Sequence, residues 1–208
     1  MNGFLKKSNT RVFVAPIPEN IEITEVYPPE RYAEITNVKN ERVRREKYFV
    51  WRLLEYAIKK SRGENIKDVA FRKCESGRWV AEDFDFSLSH SDGVAAVAIS
   101  DSCVGVDIEE LSCPRAESFA KRVLSSCEYE EFSLLPRESR EEYLIKKWTQ
   151  KEAAFKSCNA DRFIPMKTEA KPSDIKTDVL IIKGRKYVIS VYAVNSEEID
   201  IELVDSVL

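Results

Sequence analysis

The chain has 208 residues, of which 43% are hydrophobic and 33% are charged, and this composition is typical of a folded globular protein with one substantial core or two small ones. The formal net charge of −3 gives no basic field that would favour nucleic acid, and no apolar run is long enough to span a membrane. Five cysteines without a C-x-x-C pair and a single histidine argue against a zinc site and favour a reduced, cytoplasmic compartment. Residues 1–7 lack the apolar core of a signal peptide.

The first segments read as two short strands followed by a long helix. The strands are predicted at 11–15 and 21–26, and apolar residues at helical spacing predict a helix from Arg42 to Lys60. Lys47 falls inside the apolar stripe of this helix. It either extends its stem along the apolar surface with its ammonium in water, or it serves as a phosphate ligand.

Extended segments follow in the middle of the chain. Alternating apolar residues predict a strand over Asp83–Leu88, with His90 in the loop after it. Two further apolar segments, Val94–Ile99 and Cys103–Ile108, read as strands. Because only residues 100–102 separate them, we expect these two strands to form a hairpin.

Helices and then strands are predicted for the rest of the chain. A short helix is expected over Ala116–Leu124, and Ser125 with Glu128 forms a possible capping box for the next one. A long helix is expected from Glu141 to Ser157. The last predicted strands are Val179–Ile182, Tyr187–Val194 and Ile199–Val204, with turns at 183–185 and 195–197. Periodicity alone therefore indicates the α+β class.

Charged residues interrupt the apolar face of the long helix. Helical spacing puts Lys151 and Glu152 on the face that carries the large side chains of Trp148 and Phe155, and we expect that face to be buried. Buried charges are costly unless they are paired or bind something, so this pattern favours a functional site. The alternative is that Glu152 and Lys156 form an ordinary i,i+4 surface pair.

A pair of carboxylates lies on the predicted strand 103–108 and just after it. Strict alternation directs Asp107 and Glu109 to the side opposite the apolar residues, about 7 Å apart at the backbone. Their side chains can converge on one divalent cation, and Glu152 would complete an oxygen-ligand site of the kind that Mg²⁺ uses with phosphates. The alternative is that Asp107 and Glu109 form the solvated face of an edge strand.

Three segments together resemble the signature of the 4′-phosphopantetheinyl transferases. Gly-Val-Asp-Ile-Glu at 105–109 and Trp-x-x-Lys-Glu-Ala-x-x-Lys at 148–156 resemble the paired motif of this family. Phe-Ser-Leu-Ser-His-Ser at 86–91 is similar to a third family segment, usually written F-N-x-S-H-S. The resemblance covers roughly residues 70 to 160, and the chain length resembles the long, single-chain, surfactin-synthetase-activating type.

The resemblance implies a fold and an activity. The fold would be two similar α/β halves, 1–103 and 104–208, in a pseudo-twofold arrangement, each with a small, mainly antiparallel sheet and a packed long helix. The first half would contact the nucleotide of coenzyme A, and the second would carry the metal ligands and the catalytic helix. A cytoplasmic monomer would use Mg²⁺ to transfer 4′-phosphopantetheine from coenzyme A to a serine of an acyl- or peptidyl-carrier protein, releasing adenosine 3′,5′-bisphosphate.

The resemblance also implies residue roles. The metal ligands would be Asp107, Glu109 and Glu152. Contacts with coenzyme A would come from Lys47, Arg78, Ser89, His90, Asp107, Lys151 and Lys156. The catalytic residues would be Glu128, Glu152 and Lys156. Glu128 would help to deprotonate the serine, although it could also be only the capping glutamate.

Three positions depart from the family pattern: Trp51 stands where an arginine is frequent, Trp79 where a proline is frequent, and Ser87 where asparagine is usual. These departures affect the segments expected to contact the nucleotide more than the carboxylates. Two rival functions are a catalytically inactive relative that binds coenzyme A or a carrier protein, and a metal-dependent phosphoester hydrolase.

Overall fold

The computed structural model describes residues 8–75, 77–158, 162–194 and 196–205. Within these residues the strands are β1 (Ser8–Pro16), β2 (Phe71–Lys73), β3 (Trp79–Ala81), β4 (Asp85–Ser91), β5 (Val94–Ser100), β6 (Val104–Glu110), β7 (Ile175–Ile182), β8 (Arg185–Ala193) and β9 (Ser196–Leu203). The α-helices are α1 (Pro29–Thr36), α2 (Glu41–Arg62), α3 (Ala116–Val123), α4 (Ser126–Leu134) and α5 (Arg137–Ser157). No helix in the described part of the chain is long and apolar enough to cross a bilayer.

The first sheet has the strand order β4-β5-β1-β9. β5 is antiparallel to both β4 and β1, whereas β9 is parallel to β1. Every residue of β5 is buried, because one face of the strand packs towards α2 and the other packs towards the second sheet. The continuous apolar run 94–99 therefore reflects a central strand that is covered on both faces.

Helix α2 covers the first sheet and confirms the predicted helix. The Asn40 side chain accepts a hydrogen bond from Val43 N at 3.1 Å and caps its start, and Gly63 ends it at a φ of 72°. The predicted strand at 21–26 is wrong. Ile21 and Ile23 pack against the same core as α2, but the segment joins none of the sheets formed by the described residues.

The family departures at two tryptophans have a packing explanation. Trp51 is fully buried in α2 and donates from Nε1 to Tyr27 O at 2.7 Å. Its ring meets that of Trp79 edge to face, with 5.9 Å between the ring centroids. Both tryptophans thus belong to the aromatic core under the first sheet.

The second sheet has the antiparallel order β6-β8-β7 and packs against the first sheet through a shared apolar cluster. Helix α5 lies on its other side, and α3 and α4 pack against α5 through a third cluster. The predicted helices at Ala116–Leu124 and Glu141–Ser157 and the last three strands are confirmed. The turn at 183–185 is confirmed, while the predicted turn at 195–197 includes position 195, which lies outside the described residues.

The predicted hairpin between β5 and β6 is wrong. Both strands form, but β5 pairs with β4 and β1, and β6 pairs with β8. The hairpin instead joins β4 to β5 through Asp92 and Gly93, whose φ angles are 38° and 85°. Asp-Gly supplies the two positive φ angles that a tight hairpin turn needs. The hairpin extends β4 to Ser91, so His90 lies in a strand, and its prediction as a loop residue is also wrong.

Side chains of β4 bridge the first sheet to β6. Three backbone N–H groups of β6 donate to them, Val104 N to Asp85 Oδ2 (2.9 Å), Val106 N to Ser87 Oγ (3.0 Å) and Ile108 N to Ser89 Oγ (3.3 Å). Short polar side chains at alternate positions therefore satisfy a strand edge that would otherwise be unpaired. This bridge places Ser89 and Ser91 directly beside the two carboxylates of β6.

The structure agrees with the predicted class as a mixed fold of small sheets and helices. The pseudo-twofold relation and the division of the chain at residue 103 stay predictions. β9 belongs to the C-terminal part of the sequence but lies in the sheet of the N-terminal part.

Candidate active site

Small residues bring the two motif segments into contact. A Cβ atom added at Gly105 in β6 would lie 1.9 Å from Ala153 O and 2.7 Å from Ser157 N of α5. The helix therefore packs on the strand at van der Waals distance only because position 105 has no side chain. This contact sets Asp107 and Glu109 opposite the last turns of α5.

The face of α5 that we predicted to be buried is only half-buried. Trp148, Glu152 and Phe155 are of intermediate exposure, and smaller residues form the face against the second sheet. Thr149, for example, is fully buried and shares a hydrogen bond of 2.8 Å with Ser190 of β8. The prediction is confirmed for Lys151, which is 3% exposed, and is wrong for Trp148, Glu152 and Phe155, because close packing on the sheet selects small side chains. Glu152 consequently keeps part of its side chain exposed.

Lys156 joins the carboxylates of the two motifs. Its Nζ lies 2.6 Å from Asp107 Oδ1 and 3.7 Å from Glu152 Oε2. Ser89 Oγ accepts from Lys156 Nζ at 3.2 Å and donates to Asp107 Oδ1 at 2.7 Å. Asp107 is only 3% exposed, so the Lys156–Asp107 pair is neither of the two surface arrangements considered from the sequence.

Glu109 and Glu152 are held where a negative charge is unfavourable. Burial raises the pKa of both carboxyl groups, and the nearby Asp107 charge raises each pKa further. Ser91 Oγ and Trp148 Nε1 donate hydrogen bonds to Glu109 and partly oppose this effect, as the Lys156 ammonium does for Glu152. A cluster of acidic groups that resists ionisation is suited to bind a cation.

Lys151 of α5 and Glu128 of α4 lie in a separate network. Lys151 Nζ donates to Glu128 Oε2, Pro165 O and Thr168 O, each at 2.9 Å. An ammonium has three N–H donors, so these contacts use all of them. The predicted role of Lys151 in binding coenzyme A stays untested, but in this structure the residue anchors the 165–168 segment.

Glu128 forms the predicted capping box. Its Oε2 accepts from Ser125 N at 2.9 Å, and Ser125 Oγ accepts from Glu128 N. Burial alone would raise the pKa of Glu128, but the hydrogen bonds from Lys151 and Ser125 together with the charges of Lys151 and Lys147 lower it. Glu128 is therefore a weak proton acceptor in this arrangement.

We expect Lys151→Met to destabilise the fold by about 3–5 kcal/mol, because it leaves the Glu128 carboxylate and two carbonyl groups without their buried donor. Denaturant unfolding measures the change. The control is Lys147→Met, whose partly exposed ammonium lies 3.7 Å from Glu128 and should contribute less than about 1 kcal/mol. Equal losses in the two variants would contradict the anchoring role of Lys151.

His90 faces helix α2 across the top of the first sheet. Its Nδ1 lies 3.6 Å from Glu46 Oε2, and Lys47 is close enough for its charge to affect the ring. Burial lowers the pKa of His90; the charge of Glu46 raises it, while those of Lys156 and Lys47 lower it. The structure thus brings Lys47 and Lys156 close enough to His90 for their charges to act on its ring.

Arg78 ties the end of α5 to β4. Its guanidinium donates to Lys156 O at 2.5 Å, Asp85 Oδ1 at 2.8 Å and Phe86 O at 2.9 Å. These contacts position the helix turn that carries Lys156. The predicted contact of Arg78 with coenzyme A stays a prediction.

A cleft of about 540 Å³ opens beside Glu109 and Trp148. Apolar side chains of Phe119 and Ile145 and the basic Arg115 also line it. The carboxylate cluster is therefore reached from a partly apolar surface cleft.

Residues 103–202 match the sequence family described as the 4′-phosphopantetheinyl transferase superfamily. The matched stretch contains both β6 and α5, and therefore every carboxylate of the cluster. The match covers just under half of the chain, and over these residues the chain is similar to the 4′-phosphopantetheinyl transferase superfamily.

Individual members of the superfamily show the same likeness. The chain is 40% identical to the 4′-phosphopantetheinyl transferase psf-1 of Bacillus pumilus over 73 residues, which are 35% of this chain and 31% of the relative. It is 28% identical to the 4′-phosphopantetheinyl transferase gsp of Aneurinibacillus migulanus over 127 residues, 61% of this chain and 53% of the relative. It is 38% identical to the 4′-phosphopantetheinyl transferase HetI of a Nostoc species over 74 residues, 35% of this chain and 31% of the relative. The matches thus span from about a third to about half of the relatives' lengths.

The oxygen donors of the site fit a hard divalent cation. Asp107 Oδ2 is buried and has no hydrogen-bond partner among the described residues, although Oδ1 of the same carboxylate has two. In the described part of the chain, however, no three acidic, histidine or cysteine side chains are already arranged as a ligand group. Lys156 instead lies between Asp107 and Glu152. Mg²⁺ binding by Asp107, Glu109 and Glu152 therefore stays a prediction that requires their side chains to reorient.

The raised pKa of Glu109 predicts that the stability of the fold depends on pH when EDTA keeps the protein free of divalent cations. Because the folded pKa lies above the unfolded one, the associated stability is present at low pH and is lost as the pH rises through the folded pKa. We expect Glu109→Gln, which cannot ionise, to gain stability relative to the unmodified chain between pH 4 and pH 7 (about the range in which carboxyl groups titrate). Denaturant unfolding across this range is the measurement. Glu130→Gln, on the exposed side of α4, controls for net charge, and a constant difference for Glu109→Gln would contradict the assignment.

Two contributors to the site were missed in the sequence. Ser91 donates to Glu109, and it follows Ser87 and Ser89 at the same alternate spacing along β4, which is the signal that could have revealed it. Glu46 approaches His90 from a different element. No sequence spacing relates a helix residue to a strand residue more than forty positions away, so this contact requires the fold.

Proposed function

We propose that the chain transfers the 4′-phosphopantetheine group from coenzyme A to a serine of an apo acyl- or peptidyl-carrier protein. The observation that supports this function best is the convergence of Asp107, Glu109, Glu152 and Lys156 beside Ser89 and His90. These residues come from the three segments that resemble the family signature, and relatives of the chain are named 4′-phosphopantetheinyl transferases.

In this reaction the serine oxygen attacks the phosphorus that carries the pantetheine arm. The bond from that phosphorus to the bridging oxygen of the pyrophosphate breaks, adenosine 3′,5′-bisphosphate leaves, and a base takes the serine proton. Mg²⁺ held by Asp107, Glu109 and Glu152 would supply charge neutralisation at the pyrophosphate. Lys156 would then exchange its contact with Asp107 for a phosphate oxygen, since it already lies among the acidic groups.

The proposed reaction needs a base to take the serine proton. Glu128 is the candidate from the family resemblance, yet it accepts hydrogen bonds from Lys151 and Ser125 and its pKa is lowered. Its geometry supports the capping role directly. A catalytic role would require Glu128 to act on the serine through its second oxygen or through water.

We expect residues of the first half of the chain to bind the nucleotide end of coenzyme A. His90 and Lys47 lie on the α2 side of the cluster, where the Lys47 ammonium and an imidazole N–H could both donate to the 3′-phosphate. We also expect the protein to act as a monomer in the cytoplasm. All five cysteines are free, which suits a reducing compartment.

Mass spectrometry of an apo-carrier protein incubated with this chain, coenzyme A and Mg²⁺ tests the function. We expect the carrier protein to gain the mass of one phosphopantetheine group, and a carrier protein whose target serine is replaced by alanine should gain none. Release of free phosphopantetheine without a carrier protein would instead identify a hydrolase. Binding of coenzyme A without either product would identify an inactive relative.

A further inference from the structure

A buried carboxylate on α2 faces the only histidine of the chain. Glu46 is 6% exposed, and its Oε2 lies 3.6 Å from His90 Nδ1. This separation is longer than a hydrogen bond but short enough for a strong interaction between charges. Glu46 belongs to none of the segments that resemble the family signature.

Basic groups surround the other sides of the His90 ring. Lys47 and Arg42 approach from α2 and Lys156 from α5, and each charge disfavours protonation of the imidazole. Glu46 acts in the opposite sense and favours protonation of the imidazole. Asp92, in the turn after β4, interacts with Arg42 at 3.5 Å on the exposed side of this group. His90 thus lies in a basic environment that one buried carboxylate offsets.

An ordinary helix pair does not account for Glu46. Its other partner is Arg42, four residues earlier, whose Nη1 lies 3.7 Å from Glu46 Oε1. The Arg42 side chain is 62% exposed and that of Glu46 is 8% exposed. A surface ion pair contributes little and gives no reason to bury one partner. Burial of Glu46 is better explained by the ring that it faces.

We propose that Glu46 is a positioning residue whose buried charge favours a proton on the facing Nδ1 of His90 and allows the ring to become charged when a phosphate monoester binds. Without Glu46, the surrounding cations would keep the ring neutral and its orientation unconstrained. The identity of the anion rests on the proposed function, under which it is the 3′-phosphate of coenzyme A. The role of Glu46 towards His90 rests on the geometry alone.

Titration of His90 by NMR tests the positioning role without any ligand. Because the chain has one histidine, its ring carbon-bound proton signals identify themselves. We expect Glu46→Gln to reduce the ratio of imidazolium to imidazole at a given pH about tenfold, which corresponds to one pKa unit. The nitrogen shifts of the neutral ring should also lose their preference for the Nδ1-protonated form. The matched control is Glu55→Gln, which removes a glutamate that pairs with Arg52 on the same helix and should leave the titration unchanged.

Glu46→Asp is a conservative variant that provides a second test if Glu46→Gln does not fold. Glu46→Asp keeps the charge but withdraws it from the ring, so it should produce a smaller change of the same sign, about threefold. An unchanged His90 titration in either folded variant would overturn the proposal. So would a change of the same size in Glu55→Gln.

Calorimetry with two nucleotides identifies the anion. The unmodified chain should bind adenosine 3′,5′-bisphosphate more tightly than adenosine 5′-monophosphate, and Glu46→Gln should reduce this preference about tenfold near neutral pH. If the unmodified chain shows no preference, the assignment of the 3′-phosphate fails, while the titration still decides the role of Glu46. If the preference survives intact in Glu46→Gln, the proposed coupling of Glu46 to anion binding is overturned.

Discussion

Asp107→Asn is expected to lower the rate of phosphopantetheine transfer by at least about a hundredfold, the loss typical of removing one group that stabilises charge in a transition state. Asparagine keeps the shape of the side chain and one oxygen that can accept from Ser89 and Lys156. It removes the negative charge and the second acidic oxygen, which has no hydrogen-bond partner among the described residues. The measurement is the transfer rate as a function of Mg²⁺ concentration, and the variant should need much more Mg²⁺.

Asp178→Asn is a suitable control because Asp178 lies partly exposed on β7, 3.6 Å from Lys176. It should leave both the rate and the Mg²⁺ requirement unchanged. Because Asp107 is buried against Lys156, thermal unfolding of Asp107→Asn should accompany the kinetics to separate loss of chemistry from loss of fold. Near-normal transfer by a folded Asp107→Asn protein, or full activity in excess EDTA, would refute the metal assignment.

Gly105→Ala should destabilise the fold by about 1–3 kcal/mol or more, as expected for overpacking against atoms that cannot move aside. The added methyl group would lie 1.9 Å from a backbone oxygen of α5, so relief requires the whole helix to shift away from β6. We therefore expect a loss of transfer activity together with the loss of stability. Denaturant unfolding and the carrier-protein assay measure the two effects.

Two further variants test whether the clash with α5 causes the losses of stability and activity in Gly105→Ala. Gly63→Ala meets no atom within 4 Å but strains a residue with a φ of 72°, so it should cost stability without changing the activity of the folded protein. Gly105→Ala combined with Ala153→Gly should not recover stability, because the clash is with the Ala153 carbonyl and not with its side chain. Recovery in the double variant would show that the contact was assigned to the wrong atoms.

Periodicity was sufficient to predict the long helices and most strands, because each depends on residues close in sequence. Periodicity failed where the structure of a segment depends on pairing with a strand that is distant in sequence. Segment 21–26 alternates like a strand but finds no neighbour, and β5 and β6 are adjacent in sequence but pair with other strands. The Asp-Gly turn at 92–93 was a stronger hairpin signal than residues 100–102, and it was overlooked.

In the candidate site, too, the sequence predicts some features, and others depend on contacts between distant residues. The family signature identified Asp107, Glu109, Glu152 and Lys156, and the structure brings these four together. The signature could not show that Lys151, adjacent to Glu152, points into a different network, since neighbours on a helix are about 100° apart. Nor could it show the pair of Lys156 with Asp107, because that contact depends on the packing of Gly105 against Ala153.

The parallel pairing of β9 with β1 has a consequence for how the protein is made. Arg11 and Glu202, which form an ion pair across these strands, are 191 positions apart. During synthesis, β1 leaves the ribosome early and must wait for nearly the whole described chain before its second neighbour arrives. Pairings of such separation slow folding, since the loop must close before the contact contributes. Since β6, β7 and β8 all precede β9 in the chain, the sheet that carries His90 is completed only after every strand of the sheet that carries Asp107 has been made.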